Sequence, residues 1–222
     1  MARLSKPVTS SRSRLLAAAA QEFANRGFDG AKVDRIAARA RVNKAMLYYH
    51  FTNKAALYRE VLRSVFGGAA DAVSHVLQAG GTPEVQLRAF IHAVATMAVN
   101  QPHFPTIWLR EMAEGGRHLD EPVVVELRRV MQTLIRILEC GRQAGVFRDV
   151  NPFVVQIGIV APLLLFAASA PVRERLRDLA PFPIADISRD VVIDHVQAMT
   201  LASLASLTAA PGHARPRRRD RS

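Results

Sequence analysis

Cysteine is all but missing from this chain: Cys140 stands alone, so no internal disulfide can form, which agrees with a reducing compartment. A redox switch would need a second thiol as resolving partner, and Cys140, inside the helical run 123–144, is expected to be a small buried hydrophobe. Metal-ligand spacing is missing too. His92, His103 and His118 are scattered with no Cys or carboxylate pattern beside them, so neither a metal nor another cofactor is expected. No nucleophile–base pairing, phosphate-binding glycine loop or Ser/His/Asp ordering is present, which sets catalysis aside. Residues 1–13 carry Arg3, Lys6 and Arg12 but no apolar segment of the secretory kind, and the expected location is the cytoplasm. Strand signals are nearly absent, whereas helix punctuation is abundant.

What is present is positive charge in two places. Residues 1–60 hold 12 Lys and Arg against 4 Asp and Glu, a net +8, and residues 213–222 hold 5 against 1, a net +4. The 152 residues between them are nearly neutral, at −1. A basic end joined to a neutral bulk is the electrostatic footprint of a nucleic-acid module fused to something else.

Capping residues mark the helices in turn. The first is expected over 11–26, closed by Gly27 and Phe28, with Leu15, Leu16, Ala19 and Phe23 inward. A fourth starts after Thr52 and Asn53 and runs through Gly67 and Gly68 to about Leu77. Thr82-Pro83-Glu84 opens a fifth, Pro102–Pro105 separates it from a short sixth, Asp120-Glu121-Pro122 opens a seventh, and Asn151-Pro152 an eighth. The last is expected over 188–207, giving about nine helices in all. These divide into an N-terminal arm (1–9), a DNA-binding unit (10–55), a larger helical unit (56–209) and a disordered basic tail (210–222).

Between Ala31 and Lys54 two short amphipathic helices meet at a tight corner. Val33, Ile36, Ala37 and Ala40 repeat at i, i+3, i+4 and i+7, while Lys32, Arg35 and Arg39 fall outside that stripe. After Ala40-Arg41-Val42, Asn43 is an N-cap candidate, and Leu47 with Phe51 anchors the next helix on the same core. Its N-terminal turn then presents Lys44, Ala45 and Met46, where a recognition helix enters the major groove.

This stretch, from about Ser11 to Val65, closely resembles the DNA-binding domain of the TetR/AcrR family of bacterial transcription regulators. The densest part is Leu47-Tyr48-Tyr49-His50-Phe51, followed by Asn53-Lys54 and Leu57. One residue departs from the pattern, since the family usually has Gly in the corner where Arg41 stands. A left-handed Arg41 would be strained by roughly 1–2 kcal/mol. Either the turn differs or a phosphate contact offsets the cost. The resemblance implies that Asn43, Tyr48, His50 and Lys54 touch phosphates or cap the helices that do, and that Lys44, Ala45 and Tyr49 sit at the groove. Lys32, Val33, Asp34 and Arg41 complete the candidate DNA surface.

In the remainder the resemblance is weaker, confined to helix order and the run Arg110–Gly116. Arg110 and Glu111 are expected to form a surface pair of little energy. Residues 153–170 contain no charged side chain, which admits a membrane reading, but Gln156, Pro162 and Ser169 interrupt the run and the Arg173–Arg175 cluster follows. The TetR resemblance supplies another cover, because in that family the last two long helices pair with those of a second subunit. Residues 153–170 and 188–207 would then form a homodimer interface. Phe90, Met97, Phe104, Trp108, Met112 and Met131 are of the types that line adaptable pockets, though each alone is more readily a core residue. The expectation is an all-α dimeric regulator: a three-helix DNA-binding head, a palindromic operator, and a body that binds a small lipophilic effector. A dimer without effector and a membrane-tethered sensor are the rivals.

Overall fold

A computed structural model describes residues 10–206, and the expectations for the N-terminal arm, the basic tail and residues 207–209 lie outside them. Ten helices account for the described chain, with no strand among these residues. The first three form the head: α1 (Ser11–Gly30), α2 (Val33–Ala40) and α3 (Lys44–His50). α4 (Lys54–Gln78) leaves the head and runs the height of the body. There it packs along α7 (Glu121–Gln143) and α5 (Pro83–Asn100), while α6 (Phe104–Ala113) packs on α1 and on α8 (Pro152–Ala168), and α8 on α5 and α7. α9 (Ala170–Arg175) is a short extra turn that the sequence reading did not separate, and α10 (Arg189–Leu204) closes the body against α5 and α8.

The helix starts follow from local chemistry. Asn43, Asn53, Thr82, Asp120, Asn151 and Ser188 each accept a backbone N–H of the following turn, satisfying donors that a helix leaves open. α1 breaks where the sequence placed its end, at Gly27 (φ 68°), and a further short turn carries Phe28 back onto the head.

Two apolar cores stack along α4. The upper one begins with Leu15, Phe23, Ile36 and Leu47 of the head and continues without a gap through Leu57 and Leu62 to Phe104, Ile107 and Val123 of the body. The lower one joins α4, α5, α7, α8 and α10 through Val73, Phe90, Leu134, Ile159 and Val196. Head and body therefore share side chains.

On α7 the inward stripe is Val130, Leu134, Ile137 and Gly141. The Phe147 ring occupies the notch at Gly141, where an added Cβ would lie 1.9 Å from the ring's Cδ2. Cys140 falls off that stripe and is exposed, which corrects the expectation of a buried thiol. α8 is also one-sided. Ile159, Leu163 and Leu164 are buried in the protomer, while Phe153, Val154, Ile157 and Leu165 are exposed. Among the described residues no helix is long and apolar enough to cross a membrane.

Candidate nucleic-acid interface

The head presents α3 by its N-terminal turn. The Asn43 side chain accepts the Met46 N–H at 2.7 Å, and Leu47 is fully buried, so the helix is held by its cap and one anchor. Its first turn and both tyrosines face out: Lys44, Ala45, Met46, Tyr48 and Tyr49 are exposed, Tyr49 at 81%, while His50 is half-buried. The Tyr49 ring meets the neighbouring His50 edge-on at 5.2 Å and is otherwise open to solvent. Beside it Lys32 and Asp34 at the start of α2 are exposed and Val33 is half-buried. The Lys44 ammonium lies 2.8 Å from the Asp34 carboxylate, whose hydrogen bond and charge hold it above the usual lysine range. Both groups are open to solvent, so a phosphate or base edge can compete for Lys44 at small cost.

The corner adopts the conformation a glycine would take. Arg41 has φ 55° and ψ 47°, and the Arg41 and Val42 N–H groups close α2 on Ala38 and Ala37. The turn thus keeps its shape and the arginine bears the strain. Lys54 points inward. Its ammonium donates to the carbonyls of Phe28 at 2.9 Å and Ala31 at 3.2 Å, and lies 4.6 Å from the centre of the Phe28 ring. Those carbonyls belong to the end of α1, so Lys54 caps that helix. His50 Nε2 is 2.8 Å from the Ser11 hydroxyl, tying α3 to the start of α1.

Two buried carboxylates brace the joint of head and body: Glu22, which the sequence did not single out, and Glu111, which it placed on the surface. Glu22 accepts from Arg35 Nε at 2.6 Å and from the Lys32 N–H at 3.3 Å. Burial pushes its pKa up, but these hydrogen bonds and the Arg35 charge outweigh it and hold it below the ordinary value. Glu111 is fully buried, contrary to the surface pair expected of Arg110 and Glu111. It accepts from the Tyr58 hydroxyl at 3.0 Å and the His118 N–H at 2.7 Å, with His118 Nδ1 3.0 Å away. Burial first, and then the Glu111 charge, push the Tyr58 phenol well above its ordinary pKa. The His118 ring lies 4.2 Å from that of Phe28, so this network joins the body to the end of α1. Glu111, Glu114 and His118 bring their ligand atoms within 4.8 Å of one another, but both Glu111 oxygens already serve internal donors.

A family model for bacterial regulatory proteins of the tetR family matches residues 15–61, and a tetracyclin repressor-like C-terminal domain matches residues 83–178. Over 156 residues the chain is 30% identical to the uncharacterized HTH-type transcriptional regulator YdeS of Bacillus subtilis, covering 66% of this chain and 72% of that one. The chain belongs to the TetR family. Its members here are transcriptional regulators, not enzymes. The HTH-type transcriptional repressor NicS of Pseudomonas putida is 29% identical over 140 residues, 62% of this chain and 66% of that protein. The chain spans no more than about two thirds of the first curated relatives it matches. In fold it resembles the fatty acid degradation regulator FadR of Bacillus halodurans, with a TM-score of 0.69 at 16% identity over 88% of this chain and 97% of that one.

Within this TetR fold the six candidate pocket residues are dispersed. Phe90 is buried in the lower core; Phe104 and Trp108 form an aromatic cluster with Phe66 at the top of the body. Met97 packs against both cores, Met131 is half-buried and Met112 is exposed. Leu134, Ile137 and Ile91 pack with Phe90 in the lower core, and Met97 borders an open groove of about 420 Å³ between α4 and α5.

Proposed function

We propose that this TetR-family chain is a cytoplasmic DNA-binding repressor, dimeric on a palindromic operator and released by a small lipophilic molecule. The observation that carries the reading is α3, whose first turn and tyrosine face are open to solvent while buried Leu47 anchors it to the head. Lys44, Ala45 and Tyr49 are assigned to the groove, and Tyr48 and the start of α2 to the phosphates beside it. His50 and Asn43 act by holding α3 in place. Repression is supported by NicS, a repressor.

A second copy is supported by the outer face of α8 and α10. Phe153, Val154, Ile157 and Leu165 on one, with Val191 and Met199 on the other, leave an apolar surface of the composition that obligate dimers bury. An open groove of about 510 Å³ runs between those helices past Gly158 and Met199. The burial of Phe90 among Leu134, Ile137 and Ile91 in the lower core favours a second reading, a dimeric regulator that needs no effector.

Selection of bound duplexes from a random pool tests the reading. An enriched inverted repeat, bound by the dimer, is the expected result, and a pool that stays unenriched overturns it. A thermal-shift screen of lipophilic compounds, each hit then tested for release of the selected duplex, separates the two readings.

A further inference from the structure

A cleft of about 540 Å³ lies between head and body. Its floor is apolar, made by Ala17 and Ala18 of α1, Val61 and Val65 of α4, and Phe104 and Ile107 of α6. Its rim is polar and cationic, made by Arg14, Arg39 and Arg41 with Gln21, Gln101 and His103. Arg14 Nε donates to the Ala40 carbonyl at 3.1 Å, and Arg39 donates to the neutral Gln21 amide at 2.8 Å. Elsewhere on the molecule arginines reach carboxylates, as Arg35, Arg63, Arg129 and Arg142 do. Among the described residues no carboxylate pairs with Arg39 or Arg41, and no Asp or Glu lines the cleft.

We propose that this head–body cleft binds an anionic amphiphile, with the acid group on the Arg39 and Arg41 rim and the chain on the alanine and valine floor. Each half of the lining rejects a simpler ligand. A small hydrated anion would leave the apolar floor wet, and a neutral lipid would leave the Arg39 and Arg41 guanidinium groups without a counter-charge. A carboxylate or phosphate on an apolar chain satisfies both. The walls come from α1 and α2 on one side and α4 and α6 on the other, so a bound chain is wedged between the DNA-reading unit and its support. Its use as the releasing effector rests on the reading above; its binding does not.

Decanoate, below its aggregation concentration, is the probe, titrated into the full chain. Trp108 reports it, being the sole tryptophan and stacked with its ring centre 6.2 Å from that of Phe104 on the cleft floor. A saturable fluorescence change is expected with decanoate, none with acetate, and a response at least about ten-fold weaker with decanol. Ala17→Phe fills the floor from an exposed position of α1, and Arg39→Gln removes an uncompensated charge; each is expected to weaken decanoate by about ten-fold or more while circular dichroism stays native. No response to decanoate, equal affinity for decanol, or unchanged affinity in both variants overturns the proposal. If Arg39→Gln weakens duplex binding but not decanoate binding, the rim serves DNA phosphates and the proposal also falls. Saturable binding that leaves the selected duplex in place upholds the cleft and removes only its role as effector site. A screen hit that releases DNA from a chain unable to bind decanoate overturns the cleft and leaves the effector reading standing.

Discussion

Arg41 holds a backbone conformation that only glycine adopts without strain, and its side chain has no polar partner among the described residues. Arg41→Gly should therefore raise the stability of the head by about 1 kcal/mol, read as a higher melting temperature. An unchanged or lower value would show that the arginine is stabilised by something outside the described chain. Lys44 and Lys54 separate by the same reasoning. Lys44 is bonded only to an exposed Asp34, so Lys44→Ala should cost roughly ten-fold in affinity on the selected duplex and less on random DNA, with the melting temperature kept. Lys54 is spent on the end of α1, so Lys54→Met should lower stability by about 2 kcal/mol and leave the salt dependence of DNA binding unaltered. A salt slope reduced by one in Lys54→Met would place that ammonium on a phosphate instead. Glu22 adds a pH dependence. Its folded pKa is depressed, so its contribution is present above the unfolded value of about 4.3 and is lost as pH falls through the lower folded value. The stability gap between the native chain and Glu22→Gln should shrink across that acid window, and a gap that stays constant would show that Glu22 is not ionised in the fold.

At the scale of the element, what could be read in advance was whatever the chain decides locally. Asn43, Asn53, Thr82 and Asp120 cap helices because the donor each serves lies within three residues of it, and Val33, Ile36 and Leu47 declare an inward face by period alone. The recognition helix was legible for that reason. Glu22 and Glu111 were not, since their partners Arg35 and Tyr58 lie 13 and 53 residues away and nothing in the spacing marks them. α8 fails differently. Its side chains are apolar all round, so period could not say which of them face a neighbour. Leu164 turns out to be buried in the protomer's own core and Leu165 exposed at 60%. Leu164→Glu should unfold the chain, by burying an unpaired charge, and so tests nothing about assembly. Leu165→Glu is the informative change. It should give folded monomers by sedimentation that bind the selected duplex far more weakly, and a mutant dimer of native affinity would show that this face is not the subunit contact.

Across the whole molecule, the upper core makes head and body one mechanical piece, with α4 running from the DNA-reading unit to the lower core and the Phe28–His118 contact bracing the joint. A ligand bound anywhere along that piece can release DNA only by preferring one arrangement of it over another. In the dimer reading two heads must stand ~34–36 Å apart to enter successive major grooves, so a small rotation of α4 is enough to spoil the fit. Moving such a dimer from almost fully bound to almost fully free requires a preference of up to ~5.5 kcal/mol between the two arrangements. Linkage then fixes the reverse effect: the selected duplex must weaken binding of any releasing compound by the factor that the compound weakens DNA. Calorimetry of one screen hit, with and without the duplex, should give affinities that differ by that factor. If the two titrations coincide for a compound that displaces DNA, release does not pass through this equilibrium, and the shared core serves to hold the heads in place rather than to move them.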